Sequence, residues 1–442
     1  MKSNEALIAM RTRSRTQRLK ETVFASFWEP ATNLRARLTE FSERDWRRAF
    51  YWMDVTGLAL YFLDRIQRLG LQDCLPPVIL DRLTNNLRDN SARAVSLFGE
   101  AVALSLRFKR KNIKFALLKG ITLCPDSVPD NALRCQMDLD VLVRESQADD
   151  ARRCLESLGY VLDVVSGTTW EFKAGAGVAQ FKDLYRVRPQ RSVDLHLLPS
   201  DTESESRHTQ DLLARAQLRS FHGLLLPVLS PEDLFIQQAL HLFKHICSEY
   251  ARAFWVLEFW RHVHTRRADT RFWRNVRVLA STTPGAVIAI GVSTLMATLM
   301  FGKFAPEGLS QWSMNHLPPS ICLWVQLYGR RSLLASFPGS KLYLLLQRQL
   351  VPDTSESRAA IRRRIFPIHR PSNITRNARG EQLASRLLLY RVQARYLFFR
   401  LRIHVVEGLR YAIESGRWKR RVADLDSKRV PGMMPVGDSI EA

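Results

Sequence analysis

A chain of 442 residues with 66 Lys/Arg against 43 Asp/Glu carries a formal net charge of +23. That length exceeds what one small core organises, so two or three substructures are expected. An apolar fraction of 46% and a charged fraction of 25% exclude a disordered chain except at the ends. The charge excess points to an anionic partner (nucleotide, nucleic acid or anionic lipid) or to a solvated basic surface.

The first residues, M-K-S-N-E-A-L-I-A-M-R-T-R-S-R, hold no apolar core of signal-peptide length and read as a basic, frayed start. Residues 1–110 are expected to be helical. Ser42-Glu43-Arg44-Asp45 has the Ser-x-x-acid form of a helix start. Trp46, Phe50, Tyr51, Leu58, Phe62, Ile66 and Leu69 then recur at near-helical spacing. Pro76-Pro77 interrupts, and a second helix is expected from about Val78 to Lys111. Cys74, Cys124, Cys135, Cys154, Cys247 and Cys322 form no C-x-x-C pair. This argues against a zinc site and for reduced, buried thiols in a cytoplasmic protein.

The stretch from Phe115 to Val143 carries the chemistry. An apolar strand, Phe115 to Leu118, ends in Lys119-Gly120. Gly120 permits a tight turn and close backbone approach to a phosphate, and Lys119 adds a positive charge. A second strand carries Asp138-Leu139-Asp140. With a side-chain period of two, both carboxylates project from one face, while Met137, Leu139, Val141 and Val143 take the other. Paired carboxylates repel, and a cation between them removes that cost. Mg²⁺ prefers such oxygen donors. Arg134 can pair with a metal-site carboxylate, with a phosphate, or in a purely structural ion pair.

A helix is expected from Ser146 to Leu158. Strands follow at Tyr160–Val165, Thr168–Lys173 and Gln180–Val187, with a hairpin turn at Gly175-Ala176-Gly177. Ser192 to Leu198 reads as a further strand, with Asp194 and His196 on one face. Three acids on adjacent strands beside a glycine turn can hold two metal ions for in-line attack on a nucleotide phosphate. His196 can touch a substrate or a metal-bound water, or be an ordinary hydrogen-bonded strand histidine. A polar loop at Thr202–Ser206, a helix near Gln210–Leu218 and a strand at Leu224–Leu229 close this region.

Ser230-Pro231-Glu232-Asp233 is the clearest helix start in the chain, with Ser as cap, Pro at the first helical position and Asp three residues past the cap. His241, Lys244 and His245 share a face of that helix. Further helices are expected at 253–266, 270–280, 285–301 and 320–346. Between Val278 and Gly302 there is no charged residue. Hydroxyl side chains and Pro284-Gly285 nevertheless leave too short an apolar run for a membrane span, so a buried helix is expected. Residues 351–380 read as a Pro/Ser/Asn/Arg-rich linker before a last helix, Glu381 to about Ser415. Arg358 to Arg421 holds 17 Lys/Arg against 3 Glu. Basic residues beside Tyr390, Tyr396, Phe398 and Phe399 suit nucleic acid, an anionic membrane surface, or a helix docked on the body with an arginine rim.

The ordered pattern L-K-G, R-x-x-x-D-L-D-V-L-V and V-D-L-H resembles a group of uncharacterised bacterial nucleotidyltransferases within the DNA polymerase β-type superfamily. The likeness runs from about residue 75 to 305. The usual superfamily turn is Gly-Ser, and Lys119-Gly120 replaces it here. The resemblance implies an α+β fold, a small mixed β-sheet nucleotidyltransferase core flanked by N-terminal and C-terminal helical regions. It implies Mg²⁺-dependent transfer of an NMP group from NTP to an unknown acceptor, with Mn²⁺ able to serve. Asp138, Asp140 and Asp194 would be catalytic and hold two ions, and Lys119, Gly120 and Arg134 would bind the nucleotide. His241 matches a family histidine. Arg252, Trp255 and Glu258 match a following R…W…(D/E) pattern in which Asp is the more usual acid. The substrate side would then include His196, His241, Lys244, His245 and Glu258. The expected division is 1–110 helical, 111–229 core, 230–350 helical, and 351–442 linker, basic helix and tail. The rival reading is a binding protein that uses its basic C-terminal region.

Overall fold

The computed structural model describes residues 15–175, 184–187, 190–199, 212–351, 354–365 and 383–427. Within these, the chain divides into two compact units. One comprises residues 1–244 with 251–316, and the other comprises 245–250 with 317–442.

The first unit is built on a seven-stranded mixed sheet. Its strands are β1 (Phe115–Leu118), β2 (Leu139–Arg144), β3 (Val161–Ser166), β4 (Thr169–Ala174), β5 (Arg191–Leu198), β6 (Gln217–Phe221) and β7 (Leu224–Val228). The spatial order is β3-β4-β5-β2-β1-β7-β6. β2 and β5 run parallel, as do β1 and β7, whereas β1 and β2 are antiparallel. The three strands that carry the lysine turn and the acids are therefore the three central ones. The expected α+β class holds, with helices flanking the sheet.

Helices α1 (Arg15–Ala25), α2 (Leu34–Thr39), α3 (Glu43–Thr56), α4 (Ala59–Arg68) and α5 (Pro77–Arg110) precede β1. The start of α3 is a capping box, in which Ser42 accepts from the Asp45 N–H and Asp45 accepts from the Ser42 N–H. Pro77 opens α5 at a position where its missing N–H costs nothing. Ala101, Leu104 and Phe108 of α5 pack with Leu117, Val141, Phe172, Val193 and Leu195 in one buried cluster under the sheet. Earlier in α5, Asn90 Nδ2 donates to the carbonyls of Ala132 (2.6 Å) and Arg134 (3.2 Å). The same helix thus supports the sheet and fixes the loop that delivers the chain to β2.

After β2 come α6 (Ala148–Ser157), then α7 (Pro231–Ile246), α8 (Ala253–Thr265), α9 (Thr270–Thr282), α10 (Ala286–Phe301) and α11 (Glu307–Met314). The cap of α7 forms as its sequence dictates, with Ser230 Oγ donating to Asp233 and accepting from its N–H. Gly285 and Gly302 bound α10, which buries Ser293 and Thr294 completely. No helix among the described residues is long and apolar enough to cross a membrane.

In the second unit, the single helix expected at 320–346 is broken. The chain forms α12 (Pro319–Trp324), a wide π turn over Val325–Gly329, α13 (Arg330–Leu333) and α14 (Tyr343–Leu350). Phe337-Pro338-Gly339 lies in the gap, and proline removes a helical donor. The expected linker contains a helix, α15 (Ser355–Ile365), whose last carbonyls accept from Lys341 Nζ. The last helix, α16 (Leu383–Ser427), extends beyond its expected end. Its C-terminal half is docked within this unit. Tyr411 and Trp418 are buried, and Glu414 accepts from Tyr328 (2.9 Å). The helix expected to end near Leu218 yields to β6 at Gln217. The turn, strand, loop and linker expected at 176–183, 202–206 and 366–380 lie outside the described residues, and 184–187 forms no strand.

Candidate active site

β1 delivers the chain to its C-terminal end at Leu118. There Lys119 turns in a left-handed conformation (φ 47°) that a non-glycine residue adopts only when its surroundings impose it. Gly120 follows at φ +46°. A Cβ on Gly120 would come within 2.0 Å of the Gln136 side-chain amide, so any other residue there must displace that amide. Gln136 uses that space to donate from Nε2 to the Asp138 carbonyl at 2.7 Å. The Gln136 amide thus lies against Gly120 while bonded within the acidic segment.

Asp138 stands one residue before β2, and Asp140 lies on it. Asp140 pairs in register with Asp194 of β5, and Leu118 of β1 pairs with Asp140 from the other side. Asp140 is 6% exposed. Its Oδ1 accepts from Lys119 Nζ at 2.7 Å and from His196 Nε2 at 2.9 Å. The other ring nitrogen of His196 meets Thr169 Oγ1 at 3.2 Å, which orients the imidazole. One ligand atom each from Asp140, Asp194 and His196 lies within 4.8 Å of the others.

The carboxyls differ sharply in acidity. Burial pushes Asp140 up, but the hydrogen bond from His196 and the charge of Lys119 outweigh it and hold the group at about 2. Burial and the charges of Asp138 and Asp140 push Asp194 up to about 6. Asp138 is also raised, by burial and then by the Asp140 charge. Asp140, Asp194 and His196 thus bring ligand atoms together, with the charge of Asp138 acting on Asp194 and only part of the acidic charge neutralised. Hard oxygen donors in that condition, with an imidazole beside them, fit a divalent cation such as Mg²⁺ or Mn²⁺.

The remaining expected residues fall in distinct places. Arg134 does not reach a carboxylate of the acid cluster. Its Nε donates to Glu258 of α8 at 3.0 Å, where Glu258 is 1% exposed and also accepts from Tyr61 OH at 2.7 Å. The Phe254 ring lies 5.4 Å from the guanidinium. Glu258 is therefore the anchor of Arg134, and burial raises its carboxyl against the pull of Arg134 and Tyr61. His241 of α7 packs edge-on against Trp255 of α8 at 5.0 Å. Lys119, Arg134, His241, Trp255 and Glu258 share the walls of one small pocket of about 40 Å³. Lys244 is exposed on α7. His245 belongs to the second unit.

Sequence reasoning missed Gln136 and Tyr61. Gln136 had a signal, because period two aligns it with Asp138 and Asp140. Tyr61 had none, standing 197 residues from its partner in a helix that reads as core.

Acids paired across parallel strands beside a cationic turn form a cluster able to hold a divalent cation. The family model described as uncharacterised nucleotidyltransferase matches residues 42–302. This is more than half of the chain, and the chain belongs to that family. The chain also resembles, at 15% identity, the crystal structure of an antigenic nucleotidyltransferase-like protein from Paracoccidioides brasiliensis. That likeness covers 46% of this chain and 92% of the other, with a TM-score of 0.27. No curated protein matches the chain.

Proposed function

We propose that this protein moves a nucleoside monophosphate from an NTP to an acceptor hydroxyl, with release of pyrophosphate, in the manner of the DNA polymerase β-type superfamily. The observation that carries this is the in-register pair Asp140–Asp194, with His196 close enough to share a ligand. Asp138 and Asp140 would hold two Mg²⁺ ions and Asp194 would complete the one nearer the acceptor. When bound, such ions polarise the phosphate and stabilise charge on the attacking and leaving oxygens.

The chain's own groups supply the rest. Lys119 and the backbone at Gly120 stand at the end of the strand next to the acids and would hold the triphosphate. Arg134, kept in place by Glu258 and Tyr61, adds positive potential nearby. The acceptor oxygen attacks the α-phosphorus, the α–β bridging P–O bond breaks, and pyrophosphate leaves. The acceptor proton passes to Asp194 as general base. Positioning and charge neutralisation account for most of the rate.

The test is incubation of the purified protein with each radiolabelled NTP, Mg²⁺ or Mn²⁺, and a small-molecule extract. One NTP should label a product and release pyrophosphate, and Asp138→Asn and Asp140→Asn should abolish both. Label transfer at wild-type rates by the Asn variants, or no transfer from any NTP, contradicts the proposal.

A further inference from the structure

Helix α16 has two unlike faces. Glu407, Tyr411 and Trp418, spaced by four and seven residues, share one face and are buried. Phe398, Leu401, Val405, Leu409 and Ile413, spaced by three or four, share the other, and each is between 51% and 70% exposed. The exposed stripe runs for about four turns. Exposed apolar side chains scattered singly need no explanation, but a contiguous run of them marks an interaction surface. The buried face already docks the helix, so packing within the unit does not account for the stripe.

The rim of the stripe is basic. Arg391, Arg395 and Arg402 are exposed, and they stand seven and three residues before Phe398 and four after it, on the same side of the helix. Glu407 is the one acid between Arg391 and Ile413, and it is buried. This face therefore offers apolar surface and positive charge with no exposed negative charge, and its partner must supply apolar depth and anions together. Nucleic acid supplies the anions but no bed for Leu401, Val405, Leu409 and Ile413, because its bases stack on aromatic rings. A second copy supplies apolar surface, but two-fold pairing of identical stripes sets arginine rim against arginine rim with no exposed acid between them. An anionic bilayer supplies both, as acyl chains beneath phosphate head groups.

We infer that α16 is a membrane-surface helix. It lies along an anionic bilayer with Phe398, Leu401, Val405, Leu409 and Ile413 sunk between the head groups, and Arg391, Arg395 and Arg402 on the lipid phosphates. It lies on the bilayer and does not cross it, since Arg395, Arg400, Arg402 and Arg410 interrupt the apolar residues. The inference is independent of the proposed transfer, because neither NTP nor metal enters it.

The test is sedimentation of the full-length protein, without NTP or metal, with vesicles of phosphatidylcholine alone or with about 30% phosphatidylglycerol. The anionic vesicles should bind about tenfold or more tightly than the neutral ones. The double variant Phe398→Ser, Leu401→Ser leaves the net charge unchanged and should weaken that binding by about tenfold or more. Adhesion through the general positive charge of the chain would not respond to it. The double variant Arg395→Gln, Arg402→Gln should also weaken binding and flatten its decline with salt. All four positions are exposed, and circular dichroism checks that both variants fold. No binding to anionic vesicles, equal binding to neutral ones, or undiminished binding by the serine variant overturns the inference. So does a wild-type dimer that the serine variant dissociates, or a single-stranded RNA that binds more tightly than the vesicles and is lost in that variant. No turnover enters, so failure here is distinct from failure of the transferase assignment, which the NTP-labelling experiment reads.

Discussion

Replacing Asp194 by Asn should stabilise the metal-free protein while removing its activity. The carboxyl is raised from the ordinary 3.8 to about 6 by burial and by Asp138 and Asp140. A folded acid that binds its proton more tightly than the unfolded chain loses stability as pH rises through that window. The loss is absent below about 4 and complete above about 6. At full burial the shift corresponds to about 3 kcal/mol. Asp194 is half-buried, and solvent screening leaves about 1–2 kcal/mol. Urea unfolding in EDTA at pH 8 should therefore show Asp194→Asn more stable than wild type by that amount, with the gain vanishing near pH 4. Added Mg²⁺ should stabilise the wild type and narrow the gap, since a ligand that binds only the folded state adds to its stability. An Asn variant that is less stable at pH 8, or equally stabilised at pH 4 and pH 8, would refute the charge-cluster argument.

Glu258→Ala should cost about 3–5 kcal/mol in the same unfolding assay, because it leaves the Arg134 guanidinium buried without its partner. Tyr61→Phe should cost less, about 1.5–3 kcal/mol for one hydrogen bond to a charged group. Gly120→Ala should lose about 1–2 kcal/mol from its left-handed backbone. It should also displace Gln136 from the Asp138 carbonyl, so turnover should fall further than stability explains. The exposed stripe Phe398, Leu401, Val405 and Leu409 of α16, edged by Arg391, Arg395 and Arg402, should take the protein to vesicles containing anionic lipid. Sedimentation with such vesicles should decline steeply with salt and disappear in Leu401→Asp; unchanged sedimentation of that variant would deny the stripe a role.

The parts legible in the sequence were those with local causes. The apolar run before Lys119, the alternation around Asp140 and Asp194, and the Ser230–Asp233 cap each set their own element. The π turn at Val325–Gly329 and the helix Ser355–Ile365 were not legible, because the local residues permit either state; the turn is set by buried Val325 and Tyr328, and the helix end by Lys341, which reaches the Arg364 and Ile365 carbonyls. At the site, the sequence displayed the acids but not their partners. That Lys119 and His196 both bind Asp140, and that Arg134 faces Glu258, follow from strand order and helix placement over separations of 21, 56 and 124 residues. Local patterns carry no information across such distances.

The most direct test measures pyrophosphate release and nucleotide binding together for wild type and Asp140→Asn, using the NTP that labels product. Asp140 is the member of the cluster that touches Lys119 and His196 and pairs with Asp194. The variant should fold, bind NTP–Mg²⁺ more weakly and release no pyrophosphate above background. Pyrophosphate release at the wild-type rate from a folded Asp140→Asn protein would contradict metal-dependent transfer at these carboxylates.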